Sequence, residues 1–191
     1  EAHVLKNMNI HAPSPIEGQY KWTGKFKPFE HQKTTAGFLT MNKRSFCFNE
    51  QGTGKTASAI WAADFLLTKK RVSRVLVICP LSIMDSAWRE DLFTFAMHRK
   101  VDVAYGSAKQ RQKVIEGDAE FVIINYDGVK IVADAVAAGG FDLVIVDEAT
   151  HYKNSQTERW KTLNKILTPD TWLWMMTGTP AAQSPLDAYG L

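Results

Sequence analysis

Residues Asn49-Glu50-Gln51-Gly52-Thr53-Gly54-Lys55-Thr56 follow the apolar run Ser45-Phe46-Cys47-Phe48 and open a helical pattern from Ala57 to Leu67. A strand that enters a glycine-rich turn and then a helix aims successive backbone N–H groups at one point. The positive end of the helix dipole points there too, so the turn is a cradle for phosphate. Gln51, Gly52, Thr53 and Gly54 form that cradle, and the glycines let the backbone approach closely. Lys55 adds a mobile charge able to reach β- and γ-phosphates. Thr56 adds a hydroxyl suited to a magnesium ion whose remaining ligands are phosphate oxygens and water. The general pattern has a further glycine five residues before the Gly-Lys pair, where this chain has Asn49. Taken alone, the segment also reads as an ordinary glycine turn capping a buried helix.

A second chemical signal lies downstream, where Phe141-Asp142-Leu143-Val144-Ile145-Val146 ends in Asp147-Glu148-Ala149-Thr150. In open α/β sheets ligands bind outside the carboxyl ends of the strands, which is where the loop after Phe48 must also lie. Asp147 is then placed to hold the magnesium ion, directly or through water. Glu148 is placed to orient or deprotonate the water that attacks a γ-phosphate. By themselves these acids would read as a strand end turning into solvent; the phosphate loop upstream gives them a ligand. Thr177-Gly178-Thr179-Pro180 follows another apolar run, Trp172 to Met176, and is a plain turn unless its order matters. Here the glycine-lysine loop, the acid pair and this hydroxyl-rich turn succeed one another, each at a strand's end.

The elements that must position these groups alternate in type. Strands are expected at Ser45 to Phe48, Val75 to Cys79, Val101 to Ala104, Phe121 to Asn125, Leu143 to Val146 and Trp172 to Met176. Helices are expected at His31 to Met41, Lys55 to Leu67, Ser82 to Phe95, Ala108 to Glu116, Gly128 to Ala138 and Glu158 to Leu167. That alternation predicts an α/β fold, a mainly parallel central sheet covered by helices on both faces. Residues 1–25, with Pro13, Pro15, Gly18 and Gly24, read as an irregular N-terminal arm that packs on or precedes the domain, and 26–191 as one domain. The chain begins with Glu1, which reads as an excised fragment or a processed chain.

Composition sets wider bounds. The 191 residues are 45% apolar and 23% charged, ordinary values for a globular domain. No apolar run approaches membrane-spanning length, and no secretory signal is visible. Cys47 and Cys79 each sit in a strand-like run and read as buried reduced thiols rather than a disulfide or metal pair. A formal net charge of +3 is too small to establish nucleic-acid binding. The basic clusters Lys69-Lys70-Arg71 with Arg74, His98-Arg99-Lys100, and Lys109-Arg111-Lys113 read as solvated faces. The tryptophans read as packing residues.

From about Phe26 onward the chain resembles the first RecA-like domain of a superfamily-two helicase, specifically the Swi/Snf-like double-stranded DNA translocases. Asn49 to Thr56 resembles the family's Asp-Glu-Met-Gly-Leu-Gly-Lys-Thr, so the missing first glycine is a family trait. Pro28-Phe29-Glu30-His31-Gln32 matches a segment whose glutamine, here Gln32, reads the adenine edge. Cys79-Pro80-Leu81-Ser82 with Trp88 and Glu90 resembles a stretch that touches DNA backbone, and Asn125-Tyr126-Asp127 resembles the Ser-Tyr-Glu element, which also faces nucleic acid. Asp147 to Thr150 is similar to Asp-Glu-Ala-His, with Thr150 in place of histidine, and Lys153-Asn154 matches the Lys-Asn pair that follows. Thr177, Gly178, Thr179 and Pro180 match the Thr-Gly-Thr-Pro element thought to couple ATP state to DNA contact.

The resemblance implies a three-layer α/β/α RecA-like P-loop NTPase domain that binds ATP and Mg2+, with Lys55, Asp147 and Glu148 catalytic. It implies double-stranded DNA as partner, held without sequence preference near Ser82, Asn125, Lys153 and Asn154. It also implies a second RecA-like domain, carrying an arginine finger, that these residues do not contain. The lobe alone is then expected to bind nucleotide and hydrolyse it poorly. The forms Gly-Thr-Gly-Lys-Thr and Ala-Ala-Gln-Ser-Pro look like phage or prokaryotic members. A cytoplasmic location follows, or a nuclear one in a eukaryote. An RNA helicase, a restriction-type translocase, and a non-catalytic nucleotide- or DNA-binding module share these features and stay open.

Overall fold

Side chains alternate across a strand, and in Val75–Cys79 both sets are apolar and buried. Val75, Val77 and Cys79 enter one core while Leu76 and Ile78 enter another. A strand buried on both faces belongs inside a parallel sheet covered on both sides. The computed structural model, which describes residues 14–49, 52–152 and 158–178, shows that sheet. Its strands are β1 (Arg44–Phe48), β2 (Val75–Cys79), β3 (Val101–Ala104), β4 (Phe121–Asn125), β5 (Leu143–Asp147) and β6 (Trp172–Thr177). Their order is β1-β6-β5-β2-β4-β3, and every pairing is parallel.

The helices make the outer layers. On one face lie α1 (Pro15–Gln19), α2 (Glu30–Met41), α3 (Lys55–Thr68) and α4 (Glu90–Phe95). On the other lie α5 (Ala108–Ile115), α6 (Tyr126–Ile131), α7 (Ala133–Ala138) and α8 (Glu158–Ile166). All residues of α3 from Ala57 to Leu67 are buried. Its four alanines at 57, 59, 62 and 63 let the helix lie close between the sheet and the other elements of its layer. Cys47 and Cys79 are buried free thiols, as expected, and burial pushes both thiols up from their ordinary value. No described helix is long and apolar enough to cross a membrane.

The segment before Glu30 contributes to this layer. Ile16 in α1 is buried in the core. Tyr20 meets Phe65 edge-on at 5.9 Å, Trp22 meets Trp61 edge-on at 5.6 Å, and the Trp61 indole donates to the Thr23 carbonyl at 2.8 Å. Gly24 has φ +102°, and a Cβ there would lie 2.7 Å from the Thr94 carbonyl oxygen and 2.9 Å from Phe95 Cα. Gly24→Ala is therefore expected to cost about 1–3 kcal/mol, the range for backbone strain that neighbours cannot relieve. A lowered urea midpoint measures it; an unchanged midpoint would show that the segment is not seated against α4.

Two helical expectations change in detail. Ser82 to Phe95 is a three-residue tight turn (Leu81–Ile83), then a wide turn (Met84–Arg89), then α4. Met84, Trp88 and Leu92 all face the core at four-residue spacing, and a helix of 3.6 residues per turn must widen to keep them aligned. Gly128 to Ala138 is broken at Val132 and begins earlier, at Tyr126. Both halves lie along α8, the first tied by Asp127–Arg159 at 3.2 Å and the second by Asp134–Lys165 at 2.7 Å.

Candidate active site

Register brings the strand ends together. Phe48 pairs with Thr177, Asp147 with Met176, and Cys79 with Asn125, so the loops after β1, β6, β5, β2 and β4 leave one edge of the sheet. β5 and β6, late in the chain, lie between β1 and β2, so the chain reverses its direction of travel across the sheet there. Clefts of this kind hold ligands in open α/β folds.

At that edge the loop after β1 turns into α3 through Gly54, whose φ of +75° is left-handed. Gly52 is also left-handed, with φ +79°. A side chain at Gly54 would be strained and its Cβ would collide with the Gln32 amide nitrogen, so glycine lets α2 close on the loop. Gln32 is committed at both ends of its amide: Oε1 accepts from the Phe29 N–H at 2.9 Å and Nε2 donates to the Thr53 carbonyl at 3.3 Å. His31 Nε2 lies 3.0 Å from the same carbonyl, with Phe29 stacked on its ring at 5.7 Å. The Asn49 amide donates to Thr35 Oγ1 at 2.9 Å, and Lys55 Nζ donates to the Asn49 carbonyl at 2.9 Å. Asn49, the departure from the general pattern, thus ties the loop to α2. Thr56 stands in the first turn of α3, and Gln51 lies outside the described residues.

Asp147 ends β5 and is only 6% exposed. Both carboxylate oxygens are held: Trp88 Nε1 donates to Oδ2 at 2.9 Å, and the Glu148 N–H donates to Oδ1 at 3.0 Å. Burial pushes its carboxyl up from the usual range, and the Trp88 and Glu148 donors and the charge of Lys55 oppose that shift. Glu148 has φ +54°, a left-handed conformation uncommon for a side chain of this length. The Tyr126 hydroxyl donates to the Asp147 carbonyl and lies 3.3 Å from the Glu148 carbonyl.

These residues fit a magnesium ion. A buried carboxylate whose charge is opposed by desolvation gains from a divalent cation, and magnesium takes only one or two protein carboxylates beside phosphate and water. Asp147 and the Thr56 hydroxyl are the groups that would hold it.

Other expected site residues divide. Thr177 is fully buried at the end of β6, Gly178 follows it, and Thr179 lies outside the described residues. Ser82 is exposed, with its carbonyl accepting from Ser86 Oγ at 3.0 Å. Asn125 is 8% exposed and its Oδ1 accepts from Arg111 Nη1 at 2.9 Å. Its side chain thus braces the end of β4 rather than standing out from it. Lys153 and Asn154 lie outside the described residues. The basic clusters are not uniformly solvated faces. Arg111 is 6% exposed and donates to the Ala104 and Gly106 carbonyls, while Arg99 is largely buried against Asp64. An arginine enters the interior where carbonyls or a carboxylate receive its five N–H groups, which charge spacing along a chain does not reveal.

A parallel sheet with a glycine-lysine loop after its first strand and a buried acid at the end of β5, one strand removed from β1, has the pattern of the P-loop class. Within that class the SNF2-related domain family matches residues 31–191, and the chain belongs to this family. It is similar to the p41 protein of Acyrthosiphon pisum secondary endosymbiont phage 1, at 29% identity over 175 residues, covering 86% of this chain and 38% of that protein. It is also similar to the ATP-dependent helicase FUN30 of Saccharomyces cerevisiae, at 27% identity, covering 93% of this chain and 17% of the helicase. Among solved structures, the Sulfolobus solfataricus SWI2/SNF2 ATPase core in complex with dsDNA superposes with a TM-score of 0.77, at 24% identity, covering 88% of this chain and 36% of that one. At that identity the likeness is one of fold. The chain spans well under half the length of each of these proteins.

Sequence reasoning took Trp88 and Tyr126 only as members of resembling segments, and the bonds both make to Asp147 were not foreseen. An apolar spacing marks an indole or phenol as buried without naming the acceptor its polar atom finds.

Proposed function

We propose that this chain is the ATP-binding lobe of a double-stranded-DNA-dependent ATPase and translocase of the Swi/Snf type. One observation carries the reading: the glycine-lysine loop and the Asp147–Glu148 turn leave the same edge of one sheet. In this reading the loop N–H groups and Lys55 hold the β- and γ-phosphates, and Gln32 meets the adenine edge. Thr56 and Asp147 hold magnesium, which when bound neutralises phosphate charge. Glu148 orients the attacking water. Ser82, Lys153 and Asn154, with the passage from β4 into α6 at Asn125, face DNA phosphates. Thr177 to Thr179 report nucleotide state to them.

A second RecA-like lobe would supply an arginine to the γ-phosphate. Such an arginine is worth about 10³- to 10⁵-fold in turnover, so the 191-residue lobe should hydrolyse ATP far more slowly than about one per second. The test is phosphate release by the full-length protein with duplex DNA, duplex RNA or neither. Stimulation by duplex DNA, abolished in Lys55→Ala, is the expected result. Stimulation by RNA alone would give the site to an RNA helicase, and DNA-dependent activity that survives Lys55→Ala would end the ATPase reading.

A further inference from the structure

We infer that Trp88 and Tyr126 are positioning residues that couple the two segments facing nucleic acid to the Asp147–Glu148 turn. The inference rests on the DNA-dependent ATPase reading above and assigns a route for the dependence. Trp88 is fully buried, and its indole N–H ends on the Asp147 carboxylate, 59 residues away in sequence, at 2.9 Å. Tyr126 is buried on the other face of the sheet, and its hydroxyl ends on the Asp147 carbonyl. Each follows a strand end at the shared edge, Trp88 after the turn that leaves β2 and Tyr126 as the first residue after β4. Exposed Leu81 and Ser82 run through the wide turn Met84–Arg89 directly into Trp88, and Asn125 is the immediate neighbour of Tyr126. Wide turns of this kind recur at functional sites.

What the two donors grip is a strained turn. Glu148 stands in a left-handed conformation that persists only where its surroundings hold it. The surroundings here are the Asp147 carboxylate, fixed in orientation by Trp88, and the Asp147 carbonyl, fixed by Tyr126. A displacement of either loop by a phosphate backbone moves a donor, and the donor moves the acid that holds magnesium or the turn that aims Glu148. Linkage makes the effect reciprocal: nucleotide in the loop must alter affinity for the duplex by the factor with which duplex alters affinity for nucleotide.

The test is an equilibrium measurement on the full-length protein. Affinity for a fluorescent mixed-sequence DNA duplex is measured by anisotropy with and without magnesium and a non-hydrolysable ATP analogue, and the ratio of the two dissociation constants is the coupling factor. The wild-type factor is expected within the usual range of about 5 to 150. Trp88→Phe and Tyr126→Phe remove one donor each while keeping a ring in place, and both are expected to bring the factor to within about twofold of one. Trp61→Phe is the control, because it deletes another buried indole bond, to the Thr23 carbonyl, far along α3 from the acid pair. It should lower the melting temperature and leave the coupling factor intact. Wild-type coupling that persists in both Trp88→Phe and Tyr126→Phe overturns the inference, as does an equal loss in Trp61→Phe. A wild-type protein that binds no duplex overturns the ATPase reading itself.

Discussion

Glu148→Gln in the full-length protein is expected to lower duplex-stimulated turnover by about 10²- to 10⁴-fold, the usual loss when a positioned base is removed. Nucleotide affinity should stay within about twofold of wild type. Glutamine keeps the length of the side chain and the backbone N–H that Asp147 Oδ1 accepts at 3.0 Å, so Asp147 keeps its geometry. It also occupies the same left-handed backbone position at similar strain, φ +54° being no easier for one than the other. Only the capacity to take a proton or orient water through a charged oxygen is lost. Turnover is read from phosphate release and affinity from a fluorescent ADP titration. A variant that keeps wild-type turnover would show Glu148 to be a polar strand end and nothing more. A variant that loses affinity and turnover together would give Glu148 a ligand-holding role in place of a water-orienting one.

Why these acids could be recognised before any coordinates, and their anchors could not, follows from the range of the forces involved. β2, β3 and β4 have the limits expected of them, because a short apolar run bounded by turn residues states its own ends. β1, β5 and β6 each extend by one residue to Arg44, Asp147 and Thr177, since a polar residue can pair its backbone within the sheet while its side chain does something else. The positions of the glycine-lysine loop before α3 and of the acid pair at the end of β5 were legible because the backbone makes the first and adjacency in sequence makes the second. Strand order was not. Nothing local tells β1 that its neighbour is β6, 128 residues from its start. The stretch from Ser14 to Gly24 read as an irregular arm because its own composition is rich in proline and glycine, while the partners of Tyr20 and Trp22 are Asp64, Phe65 and Trp61 on a helix some forty residues on. Arg99 and Arg111 read as surface charge for the same reason.

Arg99→Leu is expected to destabilise the domain by about 3–5 kcal/mol, the cost of leaving a buried charge without its partner. Asp64 stands on the buried face of α3 and is 1% exposed. Arg99 Nε donates to its Oδ1 at 2.5 Å and Nη2 to its carbonyl at 3.2 Å, while Nη1 reaches Glu120 at 2.8 Å and Nη2 also reaches Thr68 at 2.7 Å. Tyr20 and His98 complete the set around Asp64, and burial, then the charge of Asp64, push the Tyr20 phenol up so that it remains a donor. Without Arg99 those two donors face a desolvated carboxylate alone. The loss is read from urea unfolding, where the midpoint should fall at constant slope. Asp64→Asn in the Arg99→Leu background should recover part of it, because a neutral amide needs no counter-charge. A loss below about 1 kcal/mol would rank the contact with ordinary surface pairs. α3 carries the glycine-lysine loop at its N-terminal end, so this network, about two and a half turns further along, holds the helix that the loop opens. A destabilised Arg99→Leu protein should therefore also show weakened nucleotide binding at temperatures where it is still folded.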